Sequence, residues 1–207
     1  MKRVKELIEK GEDETLDFKK VITSVNKIAK TIVSFANHKG GTILVGVNDD
    51  KTLYNIEPDE EIYMLKTAAE FNCEPSIELT IKEWVIDRKT ILEVKIPRGS
   101  RKPFYALNED GQWRVYIRVK DRSLLASKVV VDVLHRQNSD KNTFIKYGSK
   151  EQELLSYLER NDKITLKEFC DLLNIGKRRA TRILVDLVSA GAIRMHTTEK
   201  NDFYTLS

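Results

Sequence analysis

Hydrophobic and polar residues follow helical spacing in some segments and a two-residue period in others. The first clear helical pattern ends at Gly11, and an alternating stretch over Leu16–Lys19 predicts a short strand. The most regular helical pattern covers Ser24–Asn37, with Ser24 as N-cap and Gly40 ending the element. Thr42–Val47 is β-branched and apolar on both faces, which predicts a buried central strand.

The next segment adds one helix and then changes to strand periodicity. Asp59–Asn72 has helical spacing again. After Pro75, apolar and polar residues alternate in three short stretches, which predicts three strands with one solvated face. These stretches are centred on Leu79, Val94 and Ile117, and a helical pattern over Leu124–Gln137 follows them.

A polar cluster over 138–142 and Gly148 indicate a domain boundary. The sequence beyond it predicts three helices and a β-hairpin, the layout of a winged helix-turn-helix. The predicted elements are Lys150–Arg160, Thr165–Asn174, Lys177–Ala190, Ala192–His196 and Asp202–Leu206. We therefore predict an α+β protein with a mixed α/β domain over residues 1–147 and a small winged helix over residues 148–207.

The composition is that of ordinary globular protein and restricts the function only weakly. The chain has 207 residues, 36 Lys+Arg and 32 Asp+Glu, with a net charge of +4, so collagen-like, disordered and disulfide-scaffold classes are excluded. No apolar run approaches the roughly 20 residues of a membrane helix, and no signal-like stretch follows Met1. We therefore expect a cytoplasmic protein that does not contact a membrane. The two cysteines, Cys73 and Cys170, fit buried reduced thiols.

The third predicted C-terminal helix begins with a basic cluster. A helix that enters the major groove contacts bases and phosphates with its N-terminal residues, so this cluster predicts DNA binding. Lys200, on the predicted hairpin, is a further candidate phosphate contact. The alternative is a solvated basic face on a helix that packs in a dimer or protein-binding unit. The cluster comprises Lys177, Arg178, Arg179, Thr181 and Arg182.

Several short motifs in the first half carry a family resemblance. They are Leu16-Asp17-Phe18-Lys19, Phe35-Ala36-Asn37, Gly40-Gly41, Gly46-Val47-Asn48-Asp49 and Tyr116-Ile117-Arg118. Together they resemble the Schlafen AlbA-2 domain family over most of residues 11–137. The sequence departs from the family pattern at Asp17, where glutamate is usual, and after Arg118, where a glycine is normally found. The resemblance, with a following winged helix as in bacterial members, implies a DNA-binding transcriptional regulator.

A basic strand in the first half is a second candidate nucleic-acid surface. Arg114, Arg118 and Lys120 share one parity of the strand, with Tyr116 among them. Cations interleaved with an aromatic ring suit phosphates and stacked bases. The alternative is an arginine-rich face that provides solubility and protects a sheet edge. The expected partner is DNA or RNA, and a homodimer would suit a palindromic site.

The resemblance also raises an enzymatic alternative. Some Schlafen relatives are ribonucleases, and their three acidic positions correspond to Glu12, Asp17 and Asp49. Such carboxylates would hold divalent cations for phosphodiester cleavage, making the protein a metal-dependent endoribonuclease. The competing interpretation is a turn residue at Asp49, a solvated Glu12, and Asp17 paired with Lys19 or Lys39. Enzymatic activity is therefore left open, and no metal or other cofactor is predicted outside this alternative.

Lys39, Gly40 and Gly41 are candidates for a phosphate-binding turn, since family members have also been described as divergent ATP-binding proteins. The sequence has no G-x-x-x-x-G-K-[ST] loop, and the glycine pair also fits a tight turn from helix to strand. The three histidines have no ligand-spaced partners, so a structural zinc site is not predicted. A protein-interaction module without nucleic acid is the third functional alternative.

Overall fold

The computed structural model describes residues 2–137 and 148–207, and it divides the chain into two compact units at Leu125 and Ala126. The predicted linker residues 138–142 lie outside the described residues. The first unit contains α1 (Lys2–Lys10), β1 (Leu16–Lys19), α2 (Val25–Asn37), β2 (Gly41–Val45), α3 (Pro58–Phe71), β3 (Cys73–Glu74), β4 (Thr80–Ile86), β5 (Lys89–Ile96), β6 (Tyr105–Leu107), β7 (Trp113–Val119) and β8 (Arg122–Leu125). The second contains α4 (Lys128–Gln137), α5 (Ser149–Arg160), β9 (Ile164–Thr165), α6 (Leu166–Leu173), α7 (Lys177–Ser189), β10 (Ile193–Thr197) and β11 (Asp202–Leu206).

The first unit is built on two four-stranded sheets. One has the strand order β1-β2-β5-β4, with β1 and β2 parallel and the other pairs antiparallel. The other has the order β3-β6-β7-β8 and is antiparallel. The mixed α/β character predicted from the sequence is confirmed, although the short strands β3, β6 and β8 were not predicted.

Helix α2 is the central element of the first unit. Ser24 accepts a hydrogen bond from the Lys27 N–H at 3.3 Å, as its predicted role as N-cap requires. Most of the helix is buried, because apolar residues of both sheets pack against it, among them Val45 and Tyr116. Asn37, at its end, donates to the carbonyls of Phe104 and Tyr116, both at 2.9 Å. α2 therefore ties the two sheets together.

The second unit has its own apolar core, to which α4 contributes. Val129 and Val133 of α4 pack with Leu184 of α7 and Tyr204 of β11. The unit therefore begins near residue 126, about twenty residues before the boundary expected at 147 and 148. The helical pattern over Leu124–Gln137 was also only partly correct, because its first two residues belong to β8.

The remaining elements of the second unit match the pattern predicted for this region closely. α6 begins with a capping box between Thr165 and Glu168 and ends at Asn174, which has a left-handed backbone conformation. α7 starts three residues later, after Gly176. The hairpin β10–β11 pairs with β9 in the order β10-β11-β9. The first turn of α7 and the hairpin are thus the elements that position the candidate site.

Candidate nucleic-acid interface

The first turn of α7 presents a cationic surface to solvent. The apolar stripe that includes Ala180, Leu184 and Leu187 packs into the core of the second unit, so the opposite face points outward. Lys177, Arg178, Arg179 and Arg182 are exposed. Within residues 2–137 and 148–207, none of these four cations forms an ion pair with an acidic side chain. The helix N-terminus adds partial positive charge at the same place.

Thr181 is the exception among the predicted contacts of this helix. Its side chain lies on the inward face of α7, and the residue is 5% exposed. It follows Ala180, which is fully buried in the core. Residues on that face of the helix are covered by the packing that orients the arginines outward, so Thr181 is a structural position and not a surface contact with DNA.

The basic surface extends onto α4. Arg178 and Arg182 line one side of a shallow groove, and Lys128, His135 and Arg136 of α4 line the other. Arg136 is ion-paired with Asp186 of α7, and Lys128 with Asp132 at 3.3 Å. Sequence reasoning missed α4 because it placed this helix in the first domain. The signal that was available is the pair His135-Arg136 in the last turn of a helix.

The hairpin contributes Lys200, which is exposed in the turn between β10 and β11. The Thr198 hydroxyl holds this turn by accepting the N–H of Asn201 at 3.2 Å and donating to its carbonyl at 2.7 Å. Arg194 of β10 is also exposed. Lys200 therefore has the accessibility that the predicted phosphate contact needs.

The predicted basic face of β7 is largely an interior surface. Arg118 is 4% exposed and Tyr116 is 7% exposed. Both lie on the side of β7 that packs against α2, where Arg118 sits above the Phe35 ring at 4.7 Å from its centroid. Arg118 therefore cannot contact nucleic acid, and Tyr116 cannot stack on a base. The alternating pattern led to the prediction that the face carrying Tyr116 and Arg118 is exposed. In the structure that face packs against α2, and the opposite face of β7 is partly covered as well.

Arg118 is held by a dense set of internal bonds. Its guanidinium donates to the Asp17 carboxylate at 2.8 Å and to the carbonyls of Asp13 and Leu16 at 3.2 and 3.3 Å. Asp17 is 3% exposed and also pairs with Lys19. Buried charges need such partners, because an unpaired charge in the interior is costly. Arg118 thus fastens β7 to β1 and to the segment just before it.

Of the β7 cluster, two cations remain near the surface. Arg114 donates to the Gln112 side chain at 2.7 Å and to the Asp110 carboxylate at 3.2 Å. Its guanidinium is therefore engaged by residues of the adjacent turn. Lys120 is exposed after the strand, in a left-handed backbone conformation. Lys120 is therefore the residue of this cluster best placed to reach a phosphate.

The three candidate acids have separate roles in the structure. Glu12 accepts the Phe18 N–H at 2.7 Å, Asp17 pairs with Arg118 and Lys19, and Asp49 is exposed after β2. Partial desolvation raises the pKa of Glu12, and the charges of Asp17 and Asp49 raise it further against the Phe18 hydrogen bond. In the described part of the chain, no three Asp, Glu, His or Cys side chains are arranged to hold a metal ion.

Asp13, beside this cluster, is an anchored acid. It accepts the Thr15 N–H at 2.6 Å and the Thr15 hydroxyl at 2.8 Å, and it pairs with Lys10. Burial acts to raise the pKa of Asp13, but these bonds outweigh it and lower the pKa to about 2. The segment that accepts the Arg118 guanidinium is therefore fixed by side-chain bonds of its own.

The Lys39-Gly40-Gly41 turn is shaped by packing. A Cβ on Gly40 would lie 2.8 Å from the carbonyl oxygen of Ile96, and one on Gly41 would lie 2.4 Å from the Phe35 ring. Lys39 is bonded to Glu14 at 2.7 Å. Gly41 is therefore required for the close approach of β2 to α2, and Gly40 for the close approach of the turn to the end of β5. Phosphate binding at the turn stays a prediction.

A family comparison matches the first unit. The model for Schlafen, AlbA_2 covers residues 12–127, more than half of the chain. The chain belongs to the Schlafen AlbA_2 family. The matched segment of this AlbA_2 protein contains the buried Arg118–Asp17 pair and the Gly40-Gly41 turn, whereas α5, α6 and α7 lie outside it.

Two solved structures are similar to parts of the chain. The crystal structure of the DIP2311 protein from Corynebacterium diphtheriae has a TM-score of 0.45 and 15% identity, covering 71% of this chain and 29% of that chain. The solution structure of the N-terminal domain of a RecG-related protein from Nitrosomonas europaea has a TM-score of 0.45 and 18% identity, covering 69% and 94%. This chain thus spans under a third of the first protein. No curated protein matches the chain. None of the described helices is long and apolar enough to span a membrane.

Proposed function

We propose that the protein is a DNA-binding transcriptional regulator whose second unit is a winged helix-turn-helix. The carrying observation is the exposed N-terminal part of α7, whose cations Arg178, Arg179 and Arg182 have no acidic partner in the described residues. Phosphate neutralisation supplies much of the affinity of such proteins for DNA. An unpaired cationic helix end is the arrangement that this binding requires.

The surrounding elements support this role. α6 and α7 are separated by three residues, as in a helix-turn-helix, and α7 is followed by the hairpin β10–β11. In that motif the second helix enters the major groove and its N-terminal residues reach base edges. Lys200 at the hairpin tip is then the candidate contact to a phosphate beside the groove.

The AlbA_2 unit is proposed to assist binding rather than to cleave nucleic acid. The Asp17 carboxylate is ion-paired with both Arg118 and Lys19. These pairs hold it in the interior of the first unit. Lys120 is its best-placed candidate for an additional contact with DNA or RNA. Dimerisation and ligand sensing are the other roles proposed for this unit.

A salt titration of duplex binding tests the proposal. The full chain is titrated into a fluorescent 20-base-pair duplex of mixed sequence at several sodium chloride concentrations, with anisotropy as the readout. Arg178→Ala/Arg179→Ala should weaken binding at least tenfold and lower the salt slope by about 2, because two phosphate or base contacts are lost. Lys150→Ala/Arg160→Ala is the matched control, since it removes two cations from α5 and should bind as the unchanged protein does.

The outcomes separate the alternatives. Equal affinity and slope for both double variants would refute the role of α7. If the unchanged protein bound neither DNA nor RNA at low salt, a protein-interaction module would be favoured. Selection from a random duplex pool then tests the regulatory role, because a regulator should enrich a defined site, whereas a non-specific binder should not.

A further inference from the structure

The second unit contains a cleft that shares Lys128 and Lys177 with the cationic surface described above but otherwise lies apart from it. It has a volume of about 590 Å³ and lies between the start of α4, the first turns of α6 and α7, and strand β11. This is within the range of roughly 300–1,000 Å³ that small-molecule sites occupy. Leu166 and Cys170 give it an apolar wall, and Lys177, Thr181 and Tyr204 contribute polar groups.

Tyr204 is the most informative residue of the cleft. The residue is fully buried, and in the described part of the chain its hydroxyl has no hydrogen-bond partner. Most buried polar groups are paired, and leaving one unpaired costs free energy. Tyr204 is among the residues that line the cleft, so a molecule that binds there and displaces the atoms covering the hydroxyl would supply the missing partner.

The surroundings of Tyr204 define what this partner must be. Burial raises the pKa of the Tyr204 hydroxyl, and the nearby Asp202 carboxylate raises it further, so the group stays protonated and donates. Asp202 lies on the same face of β11 and is already bonded to the Ser127 hydroxyl. A ligand with an acceptor oxygen would therefore satisfy the Tyr204 hydroxyl as a donor.

The charges around the cleft favour an anion. Lys128, Lys167 and Lys177 line it, against the single acid Asp202, which keeps its charge while accepting a hydrogen bond from the Ser127 hydroxyl. Lys128 also pairs with Asp132. Lys167 and Lys177 are exposed and form no ion pair within the described ranges 2–137 and 148–207. A carboxylate joined to an apolar body matches both the lysines and the apolar wall.

We propose that this cleft binds a small organic carboxylate with an apolar body, through Tyr204 and the lysines at its rim. The site includes Lys177 and Thr181, which belong to the same helix as Arg178 and Arg182. A ligand that engages Lys177 withdraws a cation from the surface offered to DNA. Occupancy therefore weakens duplex binding, a consequence that rests on the proposed function.

Calorimetry without DNA tests the site itself. 2-Naphthoate is titrated into the full chain, with 2-naphthamide as the uncharged analogue. We expect saturable binding at one site, and at least tenfold weaker binding of the amide.

Tyr204→Phe should weaken the binding of 2-naphthoate at least fivefold. Its thermal unfolding midpoint should stay equal or rise, because the variant removes only an unpaired hydroxyl. Tyr157→Phe, in the same unit but outside the cleft, should bind as the unchanged protein does. Absence of saturable binding, or equal affinity for Tyr204→Phe, would overturn the proposal.

Duplex binding with and without saturating 2-naphthoate tests the coupling. We expect at least a threefold loss of duplex affinity and, because coupling is reciprocal, the same factor for 2-naphthoate in the presence of duplex. No change would overturn the regulatory part. If 2-naphthoate binds and duplex does not, the proposed function fails and the cleft stands. The opposite result removes the cleft and leaves the DNA interface.

Discussion

Two arginine-containing clusters of the chain differ in solvent exposure. In α7, Arg178, Arg179 and Arg182 are exposed, whereas Arg118 of β7 is buried and bonded to Asp17 at 2.8 Å. The difference follows from what covers each element. α7 packs through one apolar stripe and leaves its other face free, but β7 lies under α2 on one side. Arginine is therefore accessible to a partner in one unit, and in the other it is part of a buried structural ion pair.

The largest effect on stability should follow from breaking the buried Arg118–Asp17 ion pair. Arg118→Met leaves Asp17 in the interior with only Lys19, and breaking a buried pair in this way costs about 3–5 kcal/mol. Denaturant unfolding followed by tryptophan fluorescence reports this, since Trp84 and Trp113 both lie in the first unit. Arg182→Ala serves as the control and should leave the free energy of unfolding unchanged. A loss below about 1 kcal/mol for Arg118→Met would show that the pair is not structural.

The exposed cluster should respond in the opposite way. Arg182→Ala should lower duplex affinity about three- to tenfold and reduce the salt slope by about 1, because one cation leaves the interface. Anisotropy titrations at several salt concentrations measure both quantities. Circular dichroism should show an unchanged fold. A loss of affinity without any change of slope would mean that Arg182 acts through folding and not through phosphate contact.

Substitution of Asp13, the anchored acid beside Arg118, should have a smaller effect on stability, and this effect should depend on pH. The pKa of Asp13 is lowered to about 2 from an ordinary value near 3.8, so its stabilisation is complete above about pH 4 and is lost as pH falls toward 2. We expect Asp13→Asn to cost about 1 kcal/mol at pH 7, less than the shift alone implies, because Lys10 is solvent-exposed. Unfolding free energies measured from pH 6 to 3 should converge for the two proteins toward the acid end. Parallel curves would contradict this assignment.

The smallest effect is expected at the surface residue of the β7 cluster. Lys120→Ala should leave stability unchanged and lower duplex affinity less than threefold, since a single exposed lysine offers at most one phosphate contact. The comparison with Arg182→Ala in the same titration is the measurement. If Lys120→Ala had the larger effect, the AlbA_2 unit would be the principal binding surface.

Much of the fold was predictable from local pattern. The helix over Ser24–Asn37 was recognisable because its cap and apolar stripe are both local features, and the structure confirms Ser24 as the cap. The three helices and the hairpin near the C-terminus were found at nearly their observed bounds for the same reason. The outward direction of Arg178 and Arg182 also followed from the stripe that α7 buries.

Other features depend on contacts between distant residues. The sequence could not show that α4 packs in the second unit, because that depends on Val129 and Val133 meeting α7. It could not show that Arg118 reaches Asp17, 101 residues away. The cleft with the unpaired Tyr204 hydroxyl is also formed by four separate segments, and periodicity contains no information about it.

The sequence by itself therefore determined most secondary-structure elements, the family resemblance and the cationic end of α7. Each of these depends on residues that are close together in the chain. Only the tertiary structure decided which charges are available. A strand alternates its side chains between two faces, and whether either face meets water depends on what the rest of the chain lays over it. For β7 the covering element is α2, and this packing turned a predicted binding arginine into part of the core.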